Sequence, residues 1–328
     1  MVDDRNLEQV PILVNPPFHL VFCGTPGFAV PALEALAQAG FSVDLVVTRP
    51  DKPKGRGMEM AVSPVKQAAL SLELPIAQPD AIKNNGAFRA QLQTLKPEAI
   101  VVVGYGRIIP QWMIDLPPLG NINLHSSVLP KYRGAAPIQW AVACGETVTG
   151  VTTMRIDAGL DTGDILLQRE VPIAADDTAE TLSPKLAAVG AELMVGTLLG
   201  LRERTVLPQA QDHSRASLAP ILRKEDGRID FSRTAAEIHN RLRGFQPWPG
   251  AYTSFRGKQL VIGGARVAVS AGLPSPGSLL VEDNRLLAGC RDSFLELFEV
   301  QPEGKKRMAA RDFINGYRPQ SGEKLGAA

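Results

Sequence analysis

Between His19 and His125 the chain changes period again and again: short apolar runs give way to helical spacing and then return. Few folds accommodate that alternation. Residues 19–24 form a mostly apolar run ending in Gly24-Thr-Pro-Gly27, and residues 29–39 follow with Val30, Leu33, Leu36 and Ala37 on one helical face. Residues 41–48 and 99–105 are β-branched, buried-strand runs; 121–125 extends the series, and helical segments fall at 63–72 and 87–95. Strand and helix in alternation predict an α/β fold with an open, parallel-rich sheet and right-handed crossovers, Rossmann-like in outline. Strand-like residues 151–156 and 165–173 and a long helix over 178–201 complete this region.

With 328 residues the chain suits two domains, at roughly 150 residues each. Residues 202–219 are polar and aperiodic. The expected division is an N-terminal extension (1–18), a catalytic domain (19–205), a linker (206–219) and a C-terminal domain (220–328). The last opens with a helix at 235–243. Short alternating runs at 251–255, 259–262, 265–269, 278–281 and 294–300 follow, broken by Gly, Pro and Asn, which suggests a small OB-like β-barrel.

The net charge of +1 names no partner, but it is unevenly spread. Residues 218–328 hold 17 Lys and Arg against 12 Asp and Glu, whereas residues 1–217 hold 18 against 22. That asymmetry points to an acidic partner for the C-terminal part or to a surface that is basic for no such reason. No uninterrupted apolar run approaches the roughly 18 residues of a membrane helix. Asp3, Asp4 and Glu8 stand where a secretory signal needs a basic start. A soluble, cytoplasmic protein without membrane association is expected, with Cys23, Cys144 and Cys290 as reduced, buried thiols.

Two segments carry chemistry. If residues 121–125 are extended, Asn123 and His125 share a face at the carboxyl end of a strand, where open α/β sheets bind ligands. In isolation, Asn-x-His is more often a satisfied core histidine beside a turn asparagine. The second segment, Asp157-Ala-Gly-Leu-Asp-Thr-Gly-Asp164, sets three carboxylates among glycines. It reads as a cation site, a solvated turn or a carboxylate aimed at the histidine; the ligand spacing and closing glutamate of a calcium loop are missing. The Gly24-Thr-Pro-Gly27 turn lacks Gly-x-Gly-x-x-Gly, and Asp44 sits inside a strand-like run, which weighs against a dinucleotide site.

Together these segments resemble the 10-formyltetrahydrofolate-dependent formyltransferases. The resemblance extends through Phe22-Cys-Gly-Thr-Pro26, Phe28-Ala-Val-Pro31, Arg49-Pro-Asp-Lys-Pro53 with Gly55-Arg-Gly57, and Ser63-Pro-Val-Lys66. It continues in Asn123-Leu-His-Ser-Ser-Val-Leu-Pro130, Tyr132-Arg-Gly-Ala-Ala-Pro-Ile138 and Gly159-Leu-Asp-Thr-Gly-Asp164, then in Lys224-Glu-Asp-Gly-Arg-Ile-Asp230 and Pro247-Trp-Pro-Gly-Ala-Tyr252. Within that superfamily the pattern is similar to the branch acting on methionyl-tRNA. Gly27, Val128, Met58 and Glu59 depart from it, the last two removing positive charge that the pattern has after Gly55-Arg-Gly57.

The resemblance implies formyl transfer from 10-formyltetrahydrofolate to the methionine amine of initiator tRNA, for translation initiation, by a monomer needing no metal. Asn123, His125 and Asp161 would be catalytic, and Ser127, Val128, Leu129 and Pro130 would bind the folate. Arg49, Lys52, Lys54 and Arg56, in a basic loop over residues 49–62, would contact tRNA together with the C-terminal domain. Without that resemblance the loop reads as a solvated surface segment. Sugar-nucleotide or glycinamide ribonucleotide formylation, formyltetrahydrofolate hydrolysis, a dehydrogenase and a catalytically silent tRNA-binding protein are the alternatives.

Overall fold

The structure, a computed structural model, describes residues 18–54, 59–269 and 275–326. Arg56 and the extension before Phe18 lie outside them. The chain forms two compact units that are not consecutive in sequence. One comprises the chain up to Arg133, Gly150–Val171 and Pro184–Ser217; the other comprises Gly134–Thr149, Pro172–Ser183 and everything from Leu218 on.

The elements in chain order begin with β1 (His19–Gly24), α1 (Val30–Gln38), β2 (Ser42–Val47), β3 (Lys52–Lys54) and β4 (Glu59–Ala61). Next come α2 (Pro64–Ser71), β5 (Ile76–Ala77), α3 (Gly86–Leu95), β6 (Ala99–Val103), α4 (Gln111–Ile114) and β7 (Asn121–His125). Then follow α5 (Pro137–Ala143), β8 (Val148–Arg155), β9 (Ile165–Pro172) and α6 (Ala179–Glu203).

The first unit is built on a seven-stranded sheet in the order β5-β2-β1-β6-β7-β8-β9. Strands β5, β2, β1, β6 and β7 run parallel, and β8 is antiparallel to β7. Every residue of β6 is buried, as a strand covered on both faces must be, and that is why it reads as the unbroken apolar run Ala-Ile-Val-Val-Val. The chain leaves β1 toward β2 and later returns to β6 on β1's other side. The order therefore reverses between β1 and β6, where open sheets leave a crevice at their carboxyl ends. Helix α2 starts where its sequence says it should: the Ser63 hydroxyl accepts from the Lys66 amide, with Pro64 at the first helical position.

Helix α6, at 25 residues, is by length and composition alone long and apolar enough to cross a membrane. Its packing makes it a core helix. Leu186, Met194 and Leu198 are buried, Gly190 leaves room for the Leu124 side chain of β7, and Thr197 exchanges a 2.7 Å hydrogen bond with Thr153 of β8.

The polar, proline-broken segment 49–62, expected to be a loop, carries the small antiparallel ribbon β3–β4. Such a ribbon lies off the main sheet and needs no apolar face, so composition does not reveal it. Cys144 is exposed, not buried, because it caps the short helix α5 at its carboxyl end; Cys23 and Cys290 are buried.

The second unit contains α7 (Ala235–Gly244), β10 (Ala251–Phe255), β11 (Lys258–Ala268), β12 (Leu279–Glu282), β13 (Arg285–Gly289), β14 (Phe294–Pro302), β15 (Met308–Ala309) and α8 (Ala310–Tyr317). Its antiparallel sheet runs β10-β11-β14-β13-β12, with β15 added to β14. Bridges from Leu325 to Phe255 and from Lys324 to Ser278 tie the two sheet edges together and give a small barrel-like domain. The two runs expected at 259–262 and 265–269 are the single strand β11: Gly263 and Gly264 form a register shift, not a turn. Helix α7 carries a capping box between Thr234 and Glu237 and buries Ile238 and Leu242 in the barrel core; Phe313 of α8 enters the same core.

Candidate active site

Strand β7 is clamped on both sides. Asn123 pairs in register with Val102 of β6 and Met154 of β8, and His125 with Thr152. The period of two puts Leu124 on the α6 side and leaves Asn123 half-buried and His125 6% exposed on the opposite face. The His125 Nε2 donates to the Tyr132 carbonyl at 2.9 Å when it carries the proton, which fixes the ring and leaves Nδ1 for other work. Nδ1 faces Asp161 Oδ2 at 3.7 Å, beyond a direct hydrogen bond but within ion-pair range. Sequence positions 36 residues apart are thus brought together.

The loop after β8 explains how Asp161 gets there. Asp157 does not face the histidine. Its carboxylate accepts from the Gly159 amide at 3.0 Å and from the Thr162 hydroxyl at 2.8 Å, bracing the loop from within. Asp161 holds a left-handed backbone, φ 51°. At Gly163 a Cβ would stand 1.9 Å from the Arg155 carbonyl, so only glycine lets the loop turn back onto β8.

Residues 126–133 wrap the carboxyl end of β7. The buried Thr152 hydroxyl donates to the Ser127 carbonyl at 2.7 Å and accepts from the Leu129 amide at 3.1 Å, while Gln168 donates to the Leu129 carbonyl at 2.8 Å. Ser127 and Leu129 turn inward: the Ser127 hydroxyl donates to the Lys131 carbonyl at 2.6 Å, and Leu129 is 2% exposed. Val128 and Pro130 differ: Val128 is half-buried, and Pro130 half-buried beside it. Thr152 and Gln168 carry no distinguishing signal in the sequence: Thr152 is one of three threonines in β8, and only its register opposite His125 sets it apart.

The crevice between β1 and β6 is lined on one side by residues 104–110. Gly104 and Gly106 have positive φ, and Ile108 is 91% exposed, an apolar side chain next to the strand ends. Burial, and after it the neighbouring Cys23, push the Tyr105 phenol up to about 12, and burial likewise raises the Cys23 thiol. Both stay protonated at neutral pH, so neither supplies an anionic nucleophile.

Arg49 reaches this loop, donating from Nη2 to the Gly106 carbonyl at 2.5 Å. Below it, Lys66 pairs with Asp51, and Gln78 donates to the Asp51 carboxylate at 2.9 Å. The lysine's hydrogen bond, then that of Gln78, holds the Asp51 carboxyl below its usual range. Lys52 and Lys54 begin and end β3. Among the described residues no group of three or more His, Cys, Asp and Glu stands ready to hold a metal ion.

A family model described as formyl transferase matches residues 19–198, and its companion, formyl transferase C-terminal domain, matches residues 221–318. The methionyl-tRNA formyltransferase of Koribacter versatilis is 66% identical over 308 residues, covering 94% of this chain and 98% of that protein. The one from Caldanaerobacter subterraneus is 47% identical, over 93% and 98%. Among solved structures, the N-formyltransferase from Helicobacter canadensis in complex with folinic acid and dTDP-3-aminofucose aligns with a TM-score of 0.65 at 21% identity, covering 87% of this chain and 99% of that one. The latter is a likeness of fold.

Proposed function

The chain belongs to the formyl transferase family and is a formyl-transferring enzyme, and from that premise we propose that it passes the formyl group of 10-formyltetrahydrofolate to the amino group of methionine on initiator tRNA. The observation that carries the choice of acceptor is the 66% identity to a methionyl-tRNA formyltransferase across nearly the whole of both chains. The enzyme then works in the cytoplasm at translation initiation.

The chemistry assigned to the site needs no covalent intermediate. The methionine nitrogen, as the free amine, forms a bond to the formyl carbon; the carbonyl becomes an oxyanion; the bond to N10 breaks, and N10 leaves with a proton. The Asn123 amide supplies donors to the oxyanion, whose charge grows in the transition state and not before. His125, with Nε2–H spent on Tyr132, uses Nδ1 to hold or release a proton beside the reacting carbon. Asp161, 3.7 Å from Nδ1, stabilises the ring when it is positive and through a water accepts the proton the attacking ammonium must lose. Overall one proton goes to N10 and one to solvent.

The folate lies along residues 127–130, presented with Val128, Pro130 and backbone groups, because both reactants must come within about 3 Å of one another. RNA is held by the basic residues of the 49–62 loop, including Lys52, Lys54 and Arg56, and by the barrel domain through phosphates.

The test is acceptor choice. Labelled 10-formyltetrahydrofolate is offered with methionyl initiator tRNA, uncharged tRNA, free methionine, a dTDP-linked amino sugar and glycinamide ribonucleotide. Label on methionyl-tRNA alone supports the proposal; faster transfer to the amino sugar or to glycinamide ribonucleotide overturns it.

A further inference from the structure

The stretch between the two family matches, expected from its composition to be a plain linker, does more than connect. We infer that Gln211 and Ser217 are positioning residues of the formyl-transfer site, Gln211 holding the Asp161 loop and Ser217 the turn that aims His125. The inference rests on the formyl-transfer reading above.

Residues 209–211 run alongside the start of β9. Gln209 and Ile165 exchange both backbone hydrogen bonds at 2.8 Å. Two residues on, the buried side chain of Gln211, 5% exposed, reaches under the loop: Nε2 donates to the Asp161 carbonyl at 3.0 Å and to the Gly163 carbonyl at 2.7 Å. Its Oε1 accepts from Arg133 Nε at 3.1 Å and Nη2 at 2.6 Å. An amide is the side chain that meets this pattern, two donors toward carbonyls and an acceptor toward a guanidinium. What it fixes is a residue with φ 51°, a conformation that non-glycine residues seldom hold without help from their surroundings.

Ser217 works on the other partner. Its hydroxyl accepts from the Tyr132 amide at 2.9 Å, its carbonyl accepts from the Arg133 amide at 2.8 Å, and Tyr132 is itself at φ 61°. The Tyr132 carbonyl is the acceptor for His125 Nε2. Arg133, 6% exposed, ties the two halves together, its backbone on Ser217 and its guanidinium on Gln211 and on His213 Nδ1 at 3.1 Å. One segment thus sets the angle of the imidazole and the place of the carboxylate facing it. A site of this kind loses rate when such supports slacken by a fraction of an ångström.

Gln211→Glu keeps the size and the acceptor for Arg133 but turns a carboxylate oxygen onto two carbonyls. In the full chain, kcat for formylation of methionyl initiator tRNA should fall at least tenfold, while the apparent requirements for tRNA and for 10-formyltetrahydrofolate stay within about twofold. Built on Asp161→Asn, the same change should cost less than twofold more, because the residue it acts through is already gone. Ser217→Ala gives a second variant with no added charge and should lower kcat severalfold with the same pattern. Hydrogen exchange supplies a readout free of activity: Gln211→Glu should speed exchange over residues 157–164 at least tenfold, leaving 121–125 unchanged. A kcat within twofold of the parent for both variants, an equal loss in the Asp161→Asn background, or unaltered exchange over 157–164 would overturn the inference. A parent enzyme that fails to formylate methionyl-tRNA would instead remove the functional reading, with the exchange result still deciding whether Gln211 holds the loop.

Discussion

The loop around Asp161 and the surface of the barrel both gather charged groups, and they hold them in opposite ways. At the site the groups are fixed by hydrogen bonds between side chain and backbone: His125 on the Tyr132 carbonyl, Asp157 on the Gly159 amide, the residue 127–130 turn on the side chains of Thr152 and Gln168. Around the barrel sheet many cations lie outside, with Arg266 and Arg285 sharing Glu296, Arg256 on Glu323 and Arg307 on Glu299, while Lys258, Lys305, Lys306 and Arg311 are exposed. Reaction chemistry tolerates little error in the place of a single atom. A grip on a phosphate backbone depends on summed charge and forgives the loss of any one member. Substitutions at the two regions should therefore differ in size and in which constant they alter.

The largest effect is expected at Asn123. Asn123→Ala removes the proposed oxyanion donor and should lower kcat by roughly 100-fold to 1000-fold, with melting temperature nearly unchanged; steady-state transfer at saturating substrates is the measurement, and a loss under tenfold would overturn that role. Next comes Arg56→Ala in the basic loop, which should cut transfer to tRNA about tenfold while leaving folate binding, followed by calorimetry, as it was. Silence in transfer would take the loop out of RNA recognition. If the 127–130 turn holds the folate as proposed, charging it at Val128, half-buried where Leu129 is wholly so, should raise the requirement for 10-formyltetrahydrofolate several times more than that for tRNA.

The smallest effect is on stability. Hydrogen bonds from Arg266 and then Arg285 keep the Glu296 carboxyl below its usual 4.5. A lowered value means the stabilisation is present at neutral pH and is lost as pH falls from about 4.5 through the folded-state value. Both arginines are partly exposed, so Glu296→Gln should cost only about 0.5–1 kcal/mol at pH 7, or roughly 2 °C in melting temperature. The gap should close in acid. A gap that persists once acid has protonated the Glu296 carboxylate would assign the effect to packing.

What the sequence disclosed follows the same division. Buried strands such as β6 announce themselves because both faces need apolar residues, and Asn123 with His125 could be placed on one face by alternation alone. The approach of Asp161 could not be read that way, since it depends on a left-handed residue and a glycine folding a loop back 36 positions later. Gln211 and Ser217 were hidden for a related reason: their segment is polar and aperiodic, and its order comes from side chains reaching loops 50 and 85 residues away in sequence. Likewise Gly263-Gly264 splits one strand into two when periodicity alone is read, because a bulge and a turn use the same residues.

The contrast between fixed chemistry and summed charge is tested most directly by single-turnover formylation of methionyl initiator tRNA, comparing His125→Ala with a Lys305→Glu, Lys306→Glu double variant across a range of salt. His125→Ala should lower the rate constant by orders of magnitude at unchanged tRNA affinity. The double variant should keep the rate constant at saturating tRNA, bind more weakly, and show a salt dependence shallower by roughly 0.7 to 0.9 log units for each phosphate that is no longer neutralised. A His125→Ala enzyme that turns over near normally, or a barrel variant slowed at saturation with its affinity intact, would contradict that contrast.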